Sequence, residues 1–271
     1  MSDRVTFREL RTMPDINATV ELQKAVWRMR DVEVSSPHTL RAIAHAGGAV
    51  IGAEAAGRLI GFCFGMAAWR EGELWLWSHM AGVRPEFQGR GVGLQLKLAQ
   101  REWALNKGFR RMAWTFDPMQ SGNANFNFNR LGTTARIYSV NHYGDMQDDI
   151  NAGLASDRLE AQWQLDSSRV AALAEGGGQG VSPAPVAAVN LVYVDQSRAL
   201  RHEQPDDFTD AYYGIQIPLN IAELKAANME RAKAWQLNVR RAITSLLEAG
   251  YIVSGFVRDE DSARYIMSRE S

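Results

Sequence analysis

Three glycines within five residues, Gly89, Gly91 and Gly93, follow an apolar run and open an amphipathic one. Nothing else in the 271 residues constrains the fold as tightly as this stretch, 73–108. Residues 74–83 read as a strand, Arg84-Pro85-Glu86-Phe87 turns the chain, and a helix begins beside the last glycine. Val92, Leu96, Ala99 and Trp103 recur at spacings of 4, 3 and 4, which predicts one apolar stripe on that helix. Gly108 stands where a left-handed residue would close it. Strand, glycine turn and helix N-terminus together suit a phosphate. Amide N–H groups there lack intrahelical partners, and the helix dipole adds roughly half a positive charge. Glycine lets backbone approach a ligand closely and tolerates positive φ. A glycine-rich turn with no ligand is the alternative.

The spacing is neither GxxxxGK[ST] nor GxGxxG, so the two commonest nucleotide signatures are missing. Gln88-x-x-Gly91-x-Gly93, after a strand and Val83-Arg84-Pro85-Glu86, resembles the coenzyme A loop of the GNAT acyltransferase superfamily. There the motif reads Gln/Arg-x-x-Gly-x-Gly/Ala, and its amides hold the pyrophosphate of acetyl-CoA. The order of surrounding elements agrees over roughly residues 4–165: strand, two helices, three strands, loop and helix, strand, helix, strand.

That resemblance implies a mixed α/β (α+β) fold: a twisted, mostly antiparallel sheet flanked by helices. It implies acetyl-CoA, or another acyl-CoA, as cofactor. Gln88, Gly89, Arg90, Gly91, Val92, Gly93 and Leu94 would hold the diphosphate, and Ala81, Gly82 and Val83 would offer a backbone N–H to the acyl oxygen. Asn123 and Phe128, on the last helix of the family core, are placed at the cofactor by the same resemblance. Asn141-His142-Tyr143-Gly144 and Ser156-Asp157-Arg158 resemble a bacterial branch of GNAT acyltransferases with an added C-terminal portion.

One departure matters. The family's last core helix carries a tyrosine four residues before its terminal glycine, as general acid to the departing thiolate. Here, counting back from Gly132 reaches Phe128, which has no proton to give. Tyr138 and Tyr143, in the long polar stretch 138–158, are the replacement candidates. The alternative for that stretch is a solvated excursion held by Asx turns. His79 is the candidate base, because an imidazole titrates near neutrality; a hydrogen-bonded core histidine is the competing reading. No Ser-His-Asp or Cys-His pairing at a nucleophile elbow is visible, which favours direct attack by an amine over an acyl-enzyme.

Strand parity puts Glu73, Trp75, Trp77 and His79 on one side and Leu74, Leu76, Ser78 and Met80 on the other. Trp75 and Trp77 could wall an acceptor pocket or lie packed under helices. Arg28, Arg30 and Glu33, in the loop that lines the acceptor side in the family, join Asp117 as candidate substrate contacts. A small-molecule amine is the expected acceptor. Acetyl is the default acyl group and succinyl a larger option. A non-catalytic CoA-binding sensor or interaction protein is the alternative that Phe128 favours.

The remaining expectations are exclusions. Thirty basic and 31 acidic residues are mixed along the chain, for a net charge of −1, so no broad basic field draws nucleic acid or anionic lipid. Residues 49–69 are the most apolar, but Glu54, Arg58 and several glycines make them a hairpin and not a membrane span. The first residues carry no apolar leader. Cys63 stands alone inside a strand, which suits a reducing cytoplasm and an inert thiol. His38, His45, His79, His142 and His202 show no HxH or HExxH spacing, so no metal is expected.

The chain divides, on this reading, into an acyl-CoA domain at 1–165, a glycine- and proline-rich connection at 166–185, and a C-terminal α/β extension at 186–271. The extension reads as strands 186–194 and 212–218, one long helix 221–249, and closing strands 251–257 and 263–267. It could extend the sheet, cap the acceptor cleft or form a homodimer face.

Overall fold

The computed structural model describes residues 4–144, 153–178 and 187–270. Residues 145–152 of the long polar stretch, 179–185 of the expected connection and 186, the first of the expected extension, lie outside the described residues. In chain order come strand β1 (Thr6–Glu9), helices α1 (Met13–Trp27) and α2 (Pro37–His45), and strands β2 (Ala49–Ala55), β3 (Arg58–Arg70) and β4 (Glu73–Val83). Helix α3 (Val92–Asn106) and strand β5 (Arg111–Phe116) follow. Next are α4 (Ser121–Asn125), which runs into a π-helical turn at Phe126–Leu131, then β6 (Thr134–Ser139), β7 (Arg158–Gln164) and α5 (Ser168–Glu175). The last part holds β8 (Val189–Val194), β9 (Leu200–His202), β10 (Tyr212–Ile217), α6 (Ile221–Ala227), α7 (Met229–Glu248), β11 (Tyr251–Arg258) and β12 (Ala263–Arg269). The fold is mixed α/β with mostly antiparallel strands flanked by helices, as the resemblance implied.

Two compact units emerge. One joins the chain up to Trp114 with Gln164–Gly177; the other joins Thr115–Trp163 with the chain from Gly178 on. They cut across the boundary expected at 166–185.

In the first unit the strand order is β1-β2-β3-β4-β5, antiparallel except for the parallel pair β4 and β5. Phe62 and Phe64 of β3 pack into a buried cluster with Leu10, Ile16, Leu22, Leu40 and Val50, against which Trp27 and Val26 of α1 also rest. Cys63, between the two phenylalanines, points to the opposite face, where the charge of Lys97 on α3 acts on it. Helices therefore cover both faces, and each fully buried large apolar side chain contributes about 1.5–3 kcal/mol.

Local chemistry starts these helices. Thr12 and Asp15 form a capping box on α1, and Ser36 caps α2 ahead of Pro37. Ser167 caps α5, which turns part of the expected connection into helix. The buried face of α1 is Ile16, Thr19, Leu22 and Gln23. Polar Gln23 belongs inside because its amide exchanges two hydrogen bonds with the backbone of Ser35, at 2.8 and 3.2 Å.

The second unit has strand order β7-β6-β11-β12-β10-β8-β9, with only β10 and β8 parallel. The expected single helix 221–249 is two helices, because the Asn228 side chain accepts from Arg231 N at 2.9 Å and restarts the chain as α7. Strand β9 had no signal in the sequence reading. Asp157 holds the unit together: fully buried, it accepts two bonds from Arg240 of α7 (2.8 and 3.0 Å), one from Tyr138 Oη (2.7 Å) and one from Asn141 N (3.0 Å).

Two substitutions test this packing. A Cβ at Gly82 would lie 2.5 Å from Trp27 Cη2, so Gly82→Ala should displace the indole and cost about 1–3 kcal/mol, read by urea unfolding and tryptophan fluorescence. Asp157→Ala leaves Arg240 without its carboxylate and should cost about 3 kcal/mol. Unchanged unfolding midpoints would refute each account.

Candidate acyl-CoA site

The site is built where two strands part. Strand β4 pairs with β5 only at Trp75–Arg111, Leu76–Met112 and Trp77–Ala113. From Ser78 to Val83, among the described residues, it keeps its partner β3 on one edge alone. Register against β3 slips at the same place: Ser78 faces Gly65 and Met80 faces Phe64, which leaves His79 as the extra residue of a bulge. A bulge increases local twist and re-aims side chains. The free edge of β4 beyond it presents backbone N–H and C=O groups that an extended, amide-bearing ligand can pair with.

That edge leads straight into the glycine turn. Gln88 Nε2 donates to Val83 O at 2.8 Å, and Arg84 N to Ile60 O at 2.8 Å, fixing where the turn begins. Gly89 and Gly91 have φ of 72° and 80°, the left-handed region, and a Cβ at either would meet nothing within 4 Å. Gly91 is the N-cap of α3 and, unlike the caps of α1, α2, α5, α6 and α7, gives no side-chain hydrogen bond. The first N–H groups of α3 are thus left for a ligand. Gly89, Arg90 and Gly91 are exposed, Val92 and Leu94 are buried anchors, and the Arg90 guanidinium lies 5.6 Å from the Phe87 ring centroid. Gly93 approaches Val83, whose Cγ2 would lie 3.8 Å from an added Cβ.

Of the candidates on β4, Ala81 is exposed, while Gly82 turns its α-carbon toward Trp27, so any ligand contact there is through backbone. His79 is exposed on one side, with its ring 5.3 Å from that of Phe64, and burial of the other side lowers its pKa below the usual histidine value. Parity is broken at His79 by the bulge, so it does not simply continue the row Glu73, Trp75, Trp77. Trp75 is a correction: it is 2 % exposed between the guanidiniums of Arg70 (5.0 Å) and Arg111 (5.2 Å), and offers no face to an acceptor. Trp77 is half-buried, with Arg70 at 5.3 Å. Arg28 ends α1 in the left-handed region at φ 54°. Arg30 and Glu33 pair with each other (2.8 Å, and Arg30 N to Glu33 Oε2 at 2.9 Å), which shapes the exposed loop. Ser35 of the same loop reaches Met80 Sδ at 3.6 Å.

The other candidates belong to the second unit. Tyr138 donates its phenol proton to Asp157, and burial first, then the Asp157 charge, pushes its pKa far up. Tyr143 is exposed, its hydroxyl 3.3 Å from Thr115 Oγ1 and its ring 5.2 Å from the Arg158 guanidinium. Asp117 accepts from Met119 N at 2.8 Å, and burial raises its pKa against the pull of that bond and of Arg158. Asn123 is exposed on α4. Phe128 is fully buried, edge-to-face with Phe116 (6.1 Å) and Tyr265 (5.9 Å), where it fills the core and shows no surface to a cofactor.

The sequence reading missed one group. On α3 the buried face is Val92, Leu94, Leu96, Lys97, Gln100 and Ala104, while Ala99 and Trp103 of the expected stripe are only half-buried. Lys97 Nζ donates to Ser78 Oγ (3.0 Å) and Gln100 Oε1 (2.8 Å) and lies 3.9 Å from the Trp114 ring centroid. Gly93, Lys97, Gln100 and Ala104 are themselves spaced 4, 3 and 4, a small and polar stripe beside the apolar one that could have announced it.

Among the described residues no three His, Cys, Asp or Glu side chains gather as a metal set, and no helix is long and apolar enough to cross a membrane. Residues 16–132 match the family model described as the acetyltransferase (GNAT) family. No curated protein matches the chain by sequence. Solved structures do match. The ribosomal-protein-S18-alanine N-acetyltransferase of Escherichia coli is 13 % identical (TM-score 0.49, 61 % of this chain and 96 % of that one). A putative acetyltransferase from Salmonella typhimurium, with its cofactor acetyl-CoA, is 20 % identical (TM-score 0.49, 60 % and 95 %). An N-acetyltransferase from Staphylococcus aureus Mu50 is 15 % identical (TM-score 0.49, 60 % and 99 %). The glycine turn, the strand that precedes it and the helix it opens lie within the matched residues, so this part of the chain is similar to the GNAT family of acetyltransferases.

Proposed function

We propose that the protein transfers an acyl group, acetyl by default, from acyl-CoA to the amine of a small molecule by direct attack within a ternary complex. One observation carries the reading: the unpaired edge of β4 from Ser78 to Val83 runs into an uncapped helix N-terminus at Gly91. Gln88 to Leu94 hold the diphosphate, with Arg90 adding a cation. Pantetheine amides pair along the free edge of β4. A backbone N–H at Ala81 to Val83 polarises the acyl oxygen as it becomes tetrahedral. This chemistry is assigned to residues 1–165, with 186–271 as an extension.

Two things are asked of the amine: it must be neutral, and its second proton must leave. His79 fits the base. Its pKa is lowered in the fold, so the ring is neutral at neutral pH and accepts a proton without first losing one. The acceptor loop around Arg28, Arg30 and Glu33 and the half-buried Trp77 supply contacts for an amine with both polar and apolar parts. Of the two tyrosines, Tyr143 has the exposed hydroxyl, whereas the Tyr138 proton is committed to Asp157. Holding both reactants in place supplies much of the rate even with a weak proton donor.

Two measurements test the reading. Calorimetry should show CoA binding that ATP and NAD do not match, and Gly91→Val should weaken it about tenfold or more by placing a branched side chain at φ 80° against the diphosphate; unchanged CoA affinity would refute the loop assignment. With acetyl-CoA and an amine panel, thiol release should fall as pH drops through the lowered His79 pKa, below the usual 6.5. His79→Gln should remove that acid limb and lower kcat/KM about 100-fold; an unaltered pH profile would exclude His79 as base.

A further inference from the structure

Where β4 and β5 part, a polar cluster lies inside the core. Ser78 is the first β4 residue past the last β5 pair, and Trp114 the first β5 residue past it. Between them, from α3, comes Lys97, 4 % exposed. Its Nζ donates to Ser78 Oγ at 3.0 Å and to Gln100 Oε1 at 2.8 Å, approaches Met112 Sδ at 3.5 Å, and faces the Trp114 ring at 3.9 Å. Ser78 Oγ in turn donates to Gln100 Oε1 at 3.0 Å. The Gln100 side chain is fully buried, and its Nε2 has no hydrogen-bond partner. A buried cation and an unsatisfied buried amide both cost stability. A core that needed only packing would carry apolar side chains here.

We propose that Ser78, with Lys97 behind it, delivers the proton to the departing coenzyme A sulfur, the task for which the family position at Phe128 has no group. The inference rests on the acyl-transfer reading above. A pantetheine paired with the free edge of β4 brings its sulfur toward the apex of the fork, beside Ser78. The amine nitrogen attacks the thioester carbonyl carbon and forms the new C–N bond. As the C–S bond breaks, its electron pair goes to sulfur, and the Ser78 hydroxyl, turning from Gln100, gives sulfur its proton. Lys97 passes an ammonium proton to the Ser78 oxygen and becomes neutral, then is recharged from solvent after CoA leaves. The amine's surplus proton goes to His79 and on to water. One proton enters and one leaves, and no oxidant or further reactant is needed. Lys97 acts through Ser78 and is a positioning residue; Ser78 is the group that meets the substrate.

Charge and burial fit the task. The ionisable group facing Lys97 from β3 is Cys63, whose thiol burial pushes up to about 12, so it stays neutral. Ser78 of β4, Gln100 of α3, and Met112 and Trp114 of β5 are not ionisable at these pH values. Burial lowers the Lys97 ammonium to about 8, close to an ordinary thiol at about 8.5. A donor and acceptor so matched exchange a proton readily in either direction. Because the protonated form is the active one, the rate should decline as pH rises through that value.

The test is the pH dependence of kcat at saturating acetyl-CoA and amine, together with the thiolate absorbance of bound CoA against pH. Wild type should lose rate above about pH 8. Lys97→Met should lower kcat about 100-fold, remove this alkaline limb, leave the KM for acetyl-CoA unchanged, and raise the pH at which bound CoA ionises. Lys97→Arg keeps a cation that cannot release its proton, so it should hold the bound thiol titration and still lose rate. Ser78→Ala, a small buried change, should lose rate with Lys97 intact and serves if the lysine variants fold poorly. Wild-type kcat and an unchanged alkaline limb in Lys97→Met or Ser78→Ala would overturn the relay while leaving the transferase standing. A wild-type chain that binds no CoA would overturn both.

Discussion

The account depends on one omission of hydrogen bonding. Strands β4 and β5 run side by side for three residue pairs and then separate, so among the described residues half of β4 has an edge with no strand against it. Unpaired backbone inside a protein is costly unless something satisfies it. An extended ligand with amides of its own would satisfy that edge, and the next turn of the chain offers helix N-terminal amides to an anionic end. Gly89 and Gly91 sit in exposed left-handed conformations, and the helix they open has no side-chain cap to compete for its first N–H groups. Edge and helix terminus are joined through the Gln88–Val83 bond.

Around this feature each neighbour has a physical reason to be where it is. Trp27 lies over Gly82 because no Cβ stands in its way, and it brings the end of α1 onto β4. The bulge at His79 turns an imidazole to the surface, with Phe64 shielding its other side. In the second unit, Asp157 collects Tyr138, Asn141 and Arg240 and so fastens the C-terminal helix to the segment that follows β6. A carboxylate with that many donors is a clamp. It also explains why Tyr138, though rich in chemistry on paper, has its proton already spoken for.

Much of this was legible in the residues, and the rest was hidden for identifiable reasons. Glycine and proline mark turns through φ alone, so the loop at 88–93 and the helix ends at Gly108, Gly132 and Gly250 could be read directly, and all three closing glycines have positive φ. Strand parity held for Trp75 and Trp77 and then failed, because a bulge inserts a residue without leaving any mark in hydrophobic alternation. Whether an indole faces a pocket or the core is likewise set by what covers it; Arg70 and Arg111 both lie over Trp75, and Arg111 comes from β5, far along the chain. The π-helical turn after α4 and the restart of the helix at Asn228 depend on individual hydrogen bonds and not on periodicity. Lys97 was the largest miss. A lysine in an amphipathic helix is by default placed in water, and polar partners, Ser78 of β4 and Gln100 one turn along α3 among them, make its burial tolerable.

Amide hydrogen exchange with and without CoA tests the central claim most directly, since it reports on the backbone groups the claim concerns. Saturating CoA should slow exchange in two adjoining segments, the β4 edge at 78–83 and the first turn of α3 at 91–94, with the rest of the first unit little changed. Slowing confined to other segments, or none at all, would contradict the account.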